Sequence, residues 1–93
     1  MTSRNDVFVS ALVEGLSRSG VRHACISPGS RNTPLSLAFA AHPGITDWSH
    51  HDERSGAFFA LGVAVATGTA VVVATTSGTA ASELHPAIIE AAA

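Results

Sequence analysis

From Ser55 to Ser82 the chain carries no charged side chain, and nothing else in it limits folding as sharply. A stretch that long fits either a lipid bilayer or the interior of a protein fold. Its texture argues for the interior. Ala, Gly and Thr dominate, Thr67-Gly68-Thr69 punctuates the middle, and Val71 to Val73 is a β-branched run. Such a pattern predicts a buried helix, a turn and a buried strand.

The flanking segments extend that alternation. Asn5 or Asp6 can cap a first helix whose Phe8, Ala11, Leu12 and Leu16 fall at i, i+3, i+4 and i+8, a stripe predicted to face the core. Gly20 ends it. Val21 to Ser27 reads as a short buried strand stopped by Pro28-Gly29, and a second helix is expected from Thr33 or Pro34 to about Ala41. Ile45 to Ser49 is a brief second strand. His51 or Asp52 caps a helix from about Glu53 to Thr67, apolar nearly all round and so expected to be buried on several sides. Its Gly56, Ala60 and Ala64 form a face small enough for close approach of another helix. Ala70 to Thr75 makes a third strand, and a last helix is expected from about Ala80 to Ala92.

One helix followed by three βα units predicts a three-layer α/β/α fold with a parallel sheet, right-handed crossovers and strand order 2-1-3. With 93 residues, 46% hydrophobic and only 13% charged, the chain is more apolar than so small a free-standing domain should be. Three strands are few for this fold, and nothing after Val73 covers the sheet edge, so the expectation is the opening piece of a longer protein. A net charge of −2 without a basic cluster gives no footprint for nucleic acid or an anionic membrane. The single Cys25 forms no internal disulfide, and no secretory signal is visible, which leaves the cytoplasm as the default compartment.

In an open α/β sheet, ligands bind at the carboxyl ends of the strands. Three loops of this chain fall there: Ser27-Pro28-Gly29-Ser30-Arg31, His50-His51-Asp52-Glu53, and Thr76-Ser77-Gly78-Thr79. In the first, Gly29 lets the backbone turn, Ser30 offers a hydroxyl, and Arg31 offers a fork suited to carboxylate or phosphate; an ordinary turn with a solvated Arg fits equally well. In the third, Gly78 allows a flat ligand to approach, yet a plain Ser/Thr helix cap would look the same. Glu53 in the middle loop is either an acid that activates a ligand or a charge at a helix start. Its adjacent His and acid residues match no familiar metal spacing. Ser77 lacks a nucleophile elbow, Cys25 lies inside a buried strand, and no dinucleotide fingerprint follows any strand. His23, His42 and His85 read as structural or solvated.

Taken in order and spacing, the three loops resemble the amino-terminal pyrimidine-binding domain of thiamine diphosphate enzymes. The segments Ile26-Ser27-Pro28-Gly29-Ser30-Arg31-Asn32-Thr33-Pro34-Leu35, Asp52-Glu53-Arg54-Ser55-Gly56-Ala57-Phe58-Phe59-Ala60-Leu61-Gly62 and Thr76-Ser77-Gly78-Thr79-Ala80-Ala81 look like the 2-succinyl-5-enolpyruvyl-6-hydroxy-3-cyclohexene-1-carboxylate synthase family of menaquinone biosynthesis. The Ser-Pro-Gly-Ser-Arg loop separates that family from acetolactate synthase or pyruvate decarboxylase relatives. The resemblance implies a transferase that joins decarboxylated 2-oxoglutarate to isochorismate, using thiamine diphosphate with magnesium or manganese, as a homodimer or higher homo-oligomer. It makes residues 1–93 a partial pyrimidine-binding domain, with the diphosphate domain and its metal ligands absent and no synthase activity expected of this polypeptide alone.

By the same resemblance Glu53 is the catalytic carboxylate that hydrogen-bonds N1′ of the aminopyrimidine, and Thr76, Ser77, Gly78 and Thr79 lie beside that ring. Ser30 and Arg31 match substrate-binding positions, and the small face at Gly56, Ala60 and Ala64 is a candidate subunit contact. Asn32 stands where the family usually has Ser, and Glu83 where Asn is common. Two alternatives stay open: another thiamine diphosphate carboligase or decarboxylase, and a non-catalytic α/β module that binds an anion or a partner.

Overall fold

A computed structural model of the chain describes residues 4–27, 29, 33–76 and 79–92. Within them the elements run α1 (Arg4–Arg18), β1 (His23–Ile26), α2 (Thr33–Ala41), β2 (Thr46–Ser49), α3 (Glu53–Thr67), β3 (Val72–Ala74), α4 (Thr79–Ser82) and α5 (His85–Ala92). The strands form one parallel sheet in the order β2-β1-β3, with Cys25 opposite both Trp48 and Val73. This is the expected order. Each strand is shorter than the apolar run that predicts it, because the flanking residues Val21, Ile45 and Val71 lie outside the ladder.

Ala24 and Ile26, two residues apart on β1, point to one face of the sheet. They pack there with Val13 of α1, Phe39 of α2, Val21, Ile45 and Ala74. Cys25 points to the opposite face, is buried, and has its thiol pushed up by that burial, as suits an inert packing residue. Ala57 and Ala60 of α3 and Ala87 of α5 are buried on that second side, which completes three layers. At its rim an apolar groove of about 200 Å³ is lined by Ala60, Ala64, Val73, Leu84, Ala87 and Ile88. Among the described residues, β3 pairs only with β1, so its other edge carries no strand.

Local chemistry sets the bounds of α3. Asp52, in extended conformation, accepts a hydrogen bond from the Ser55 amide at 2.8 Å and caps the first turn. Gly68, at φ 69°, takes the left-handed conformation that closes the last turn through its amide to Ala64 O at 2.8 Å. Both ends fall where the sequence puts them. Among the described residues no helix is long and apolar enough to cross a membrane.

Three expectations are corrected. The stripe of Phe8, Ala11 and Leu12 faces outward, with Phe8 68% and Leu12 44% exposed, while Val13 is 1% exposed and Val9 and Leu16 pack against the core. The helix carries two overlapping apolar stripes, and α2 packs alongside the one centred on Val13. Second, α3 is buried along one side only: Gly56, Ala57 and Ala60 are covered, whereas Phe58, Phe59 and Val65 are exposed. Its small face is used within the chain, Gly56 against His50 and Ala60 and Ala64 toward α5.

Third, the last helix is two. Pro86 has no N–H to donate to the Ser82 carbonyl, and the amides of Glu83 and Leu84 instead reach Ala80 O and Ala81 O at 3.3 and 3.2 Å. Helix α5 restarts with that proline in its first turn, where the missing donor does no harm.

A clasp joins α1 to the turn after α2. Glu14 accepts from Arg18 Nε at 3.1 Å and from His42 Nε2 at 2.7 Å, and the Gly44 amide donates to His42 Nδ1 at 3.0 Å. An accepting Nδ1 leaves the ring proton on Nε2, so the imidazole donates to Glu14 without needing a charge. The His42 hydrogen bond, then that of Arg18, holds the Glu14 carboxyl below the usual range.

Two phenylalanines of the α1/α2 layer, one buried and one exposed, test the corrected packing. Phe39 is 0% exposed, and Phe39→Ala is expected to destabilise the fold by about 3–5 kcal/mol. Phe8→Ala should change stability by no more than about 0.5 kcal/mol. Urea unfolding of both variants measures the contrast.

Candidate functional site

The carboxyl ends of the three strands meet because β1 is bonded at its end to both neighbours. Ser27 N–H donates to Ala74 O at 2.9 Å, and His50 N–H donates to Ile26 O at 2.9 Å. These two bonds lie just beyond the ladder and bring the three loops to one edge. Ser27 is buried where the first loop leaves the sheet.

The first and third loops touch directly. A β-carbon built on Gly29 would lie 2.6 Å from Thr76 Cβ and 2.8 Å from Thr76 Oγ1, closer than such atoms approach. Only glycine lets the Thr76 side chain sit against that backbone. The Gly29 carbonyl also accepts from the Thr33 hydroxyl at 3.2 Å, which ties the first loop to the start of α2.

Opposite them, the middle loop divides its two acids between different tasks. Asp52 is committed to the helix cap. Hydrogen bonds from Ser55, its side chain first and its backbone amide second, hold the Asp52 carboxyl below the usual range. Glu53 is the first residue of α3 and half-buried, and among the described residues no hydrogen bond or ion pair engages its carboxylate. It stands in the first turn of a fifteen-residue helix, beside the helix's positive end. Such a group suits a proton-sharing partner on a flat heteroaromatic ligand.

Behind this turn the sheet presents an aromatic row. Trp48 Nε1 donates to His23 Nδ1 at 3.2 Å, the Trp48 ring lies 5.1 Å from that of Phe59, and Phe59 lies 4.9 Å from the His50 ring. His23 is therefore structural, as the sequence suggests, while His85 opens α5 at the surface.

Of the sequence-predicted site residues, Glu53 and Thr76 stand at the expected edge, on opposite flanks of β1, and Thr79 opens α4. Ser30, Arg31, Ser77 and Gly78 lie outside the described residues, as does Asn32. Among the described residues, no three His, Cys, Asp or Glu side chains are grouped to hold a metal ion. Sequence reasoning missed His50, which it weighed only as a metal ligand, and missed the pairing of Gly29 with Thr76. The signal for both was a small residue set against a larger one in a neighbouring loop, a relation that chain position alone does not reveal.

Comparison with known proteins bears on this edge. The family described as thiamine pyrophosphate enzyme, N-terminal TPP binding domain, matches residues 7–93. Proteins named 2-succinyl-5-enolpyruvyl-6-hydroxy-3-cyclohexene-1-carboxylate synthase are similar over nearly the whole chain. The one from Roseiflexus castenholzii is 58% identical over 91 residues, 98% of this chain and 16% of its own length. That from Geobacillus kaustophilus is 53% identical over 91 residues, with the same shares covered. That from Cronobacter sakazakii is 54% identical over 87 residues, 94% of this chain and 16% of its own length. The chain thus spans about one sixth of the length of these relatives.

Two outcomes test the edge itself. Gly29→Ala should cost about 1–3 kcal/mol by overpacking against Thr76, and Thr76→Gly in the same chain should recover part of the loss in a urea double-mutant cycle. Asp52 tests the cap by pH. Its folded carboxyl is more acidic than the unfolded one, so its contribution is whole above about pH 4 and is lost as the pH falls through the lowered folded value. Asp52→Asn keeps a capping oxygen without the titration, and its urea midpoint should fall less steeply on the acid side than that of the parent.

Proposed function

We propose, from a chain that belongs to the thiamine pyrophosphate enzymes through their N-terminal TPP binding domain, that Glu53 is the carboxylate by which the protein activates thiamine diphosphate. The full-length protein is then a transferase of menaquinone biosynthesis that joins decarboxylated 2-oxoglutarate to isochorismate. The observation that carries the reading is the Glu53 carboxylate itself: half-buried, at the carboxyl edge of the sheet, in the first turn of α3, and engaged by no described neighbour. The synthases 51–58% identical to this chain support the choice of reaction.

When bound, thiamine diphosphate supplies a thiazolium carbon, C2, that loses its proton more readily once a proton is shared at N1′ of the aminopyrimidine. Glu53 holds that shared proton. The neighbouring Asp52 cap keeps in place the turn that carries it. Thr76, Ser77, Gly78 and Thr79 are the residues assigned to the aminopyrimidine, of which Thr76 is seated closely on Gly29 of the first loop. Ser30 and Arg31 receive the substrate, Arg31 pairing with a carboxylate through its fork.

Magnesium or manganese, with the diphosphate, belongs to a separate domain in this reading. The protein works as a homodimer or higher homo-oligomer in the cytoplasm, because each pyrimidine site needs a diphosphate site to face it. Its small-molecule partners are isochorismate and 2-oxoglutarate.

Glu53→Gln in the full-length polypeptide carrying this chain is expected to slow deuterium exchange at C2 of the bound cofactor by about 10²–10⁴-fold, measured by NMR, with the circular dichroism of the fold unchanged. Offered substrates, the parent should turn over isochorismate with 2-oxoglutarate. Turnover of pyruvate alone would replace this reaction with that of another carboligase or decarboxylase.

A further inference from the structure

We propose that His50 is a positioning residue for Glu53: its ring is the spacer on which the first turn of α3 rests. The inference builds on the reading of Glu53 given above. His50 is fixed to the sheet by its own amide, which donates to Ile26 O at 2.9 Å. Its side chain is fixed to the helix, since a β-carbon built on Gly56 would lie 3.0 Å from His50 Cβ and 3.1 Å from its Cγ. One turn further along, the Phe59 ring lies 4.9 Å from the imidazole at 50°. The Gly56 amide then donates to Asp52 O at 2.9 Å and closes the turn that contains Glu53. Residues 51–55 are therefore held in a closed ring of contacts that begins and ends at His50, and the height of Glu53 above the sheet edge follows from the thickness of that ring.

What the imidazole does not do is equally informative. Its Nε2 is buried and has no hydrogen-bond partner among the described residues. No described hydrogen bond through that nitrogen holds the ring. The role is filled by shape and aromatic contact, continuous with the row from Phe59 to Trp48 and His23. An apolar ring of similar size should serve the same purpose.

Three variants of the full-length polypeptide, loaded with thiamine diphosphate, test this beside Glu53→Gln as the control. His50→Ala removes the ring, His50→Phe keeps a ring without its nitrogens, and His50→Gln keeps a polar group without the ring. Displacing a reacting group by a fraction of an ångström to an ångström lowers rates by up to about 10²-fold, so His50→Ala and His50→Gln should slow C2 deuterium exchange by roughly 10- to 100-fold. Their dissociation constants for thiamine diphosphate, read by equilibrium dialysis, should stay within about threefold of the parent, because the loss is in activation and not in binding. His50→Phe should restore exchange to within about threefold. If His50→Ala fails to fold, His50→Gln carries the comparison with His50→Phe. Exchange within about twofold of the parent in both ring-deleted variants overturns the proposal, as does a His50→Phe variant as slow as they are. Unimpaired exchange in Glu53→Gln overturns the Glu53 reading and this inference with it, whereas a slow Glu53→Gln beside normal ring-deleted variants rejects only the role of His50.

Discussion

The parallel pairing of β1 with both of its neighbours is the constraint on which the rest of the structure depends. A central strand must bury both faces, and Ala24, Cys25 and Ile26 are small or apolar enough to do so. One face receives α1 and α2, the other α3 and α5. Just beyond the ladder the same strand extends two more backbone bonds, Ser27 to Ala74 and Ile26 to His50. Those bonds convert a sheet into a site, because they hold three loops from distant parts of the chain at a common edge. A one-residue slip of β2 would exchange its faces, turning Trp48 away from α3 and shifting the loop that carries Glu53.

The middle loop shows how a helix start serves two ends with two adjacent acids. Asp52 gives its carboxylate to the Ser55 amide and so cannot also meet a ligand. Glu53, one residue on and already helical, keeps its carboxylate free of described partners while sharing the same positive helix end. A single acid in that position would have to choose between capping the helix and serving the site. The arrangement also explains why an almost uncharged helix begins with charge: the acids belong to its amino end and to the sheet edge, and the residues after them bury the side that carries Gly56, Ala57 and Ala60.

Much of this is legible in the sequence. The order of elements, the parallel sheet in the order 2-1-3 and both ends of α3 follow from periodicity and caps, which are local properties of the chain. Thr76 and Glu53 fall at the sheet edge because a strand-to-helix loop in a parallel sheet has nowhere else to go. The face of α1 was misread because Val7, Phe8, Val9, Leu12, Val13 and Leu16 supply more apolar positions than one stripe can hold. Periodicity then fits two faces, and packing against α2 selects one. The break between α4 and α5 was written in Pro86 and outweighed by the Ala-rich run around it.

By itself, then, the sequence determined the alternation of strands and helices, the parallel order of the sheet and both ends of α3, and it put Glu53 and Thr76 at the carboxyl edge. Each of these depends on neighbours a few positions apart, where side-chain type and backbone preference are enough. The tertiary structure alone decided that Val13 and not Phe8 enters the core, that Gly29 seats Thr76, and that the His50 ring sits under the turn bearing Glu53. These are contacts between segments brought together by the sheet, and their geometry is set by the ångström-scale fit of surfaces that do not exist until the chain has folded.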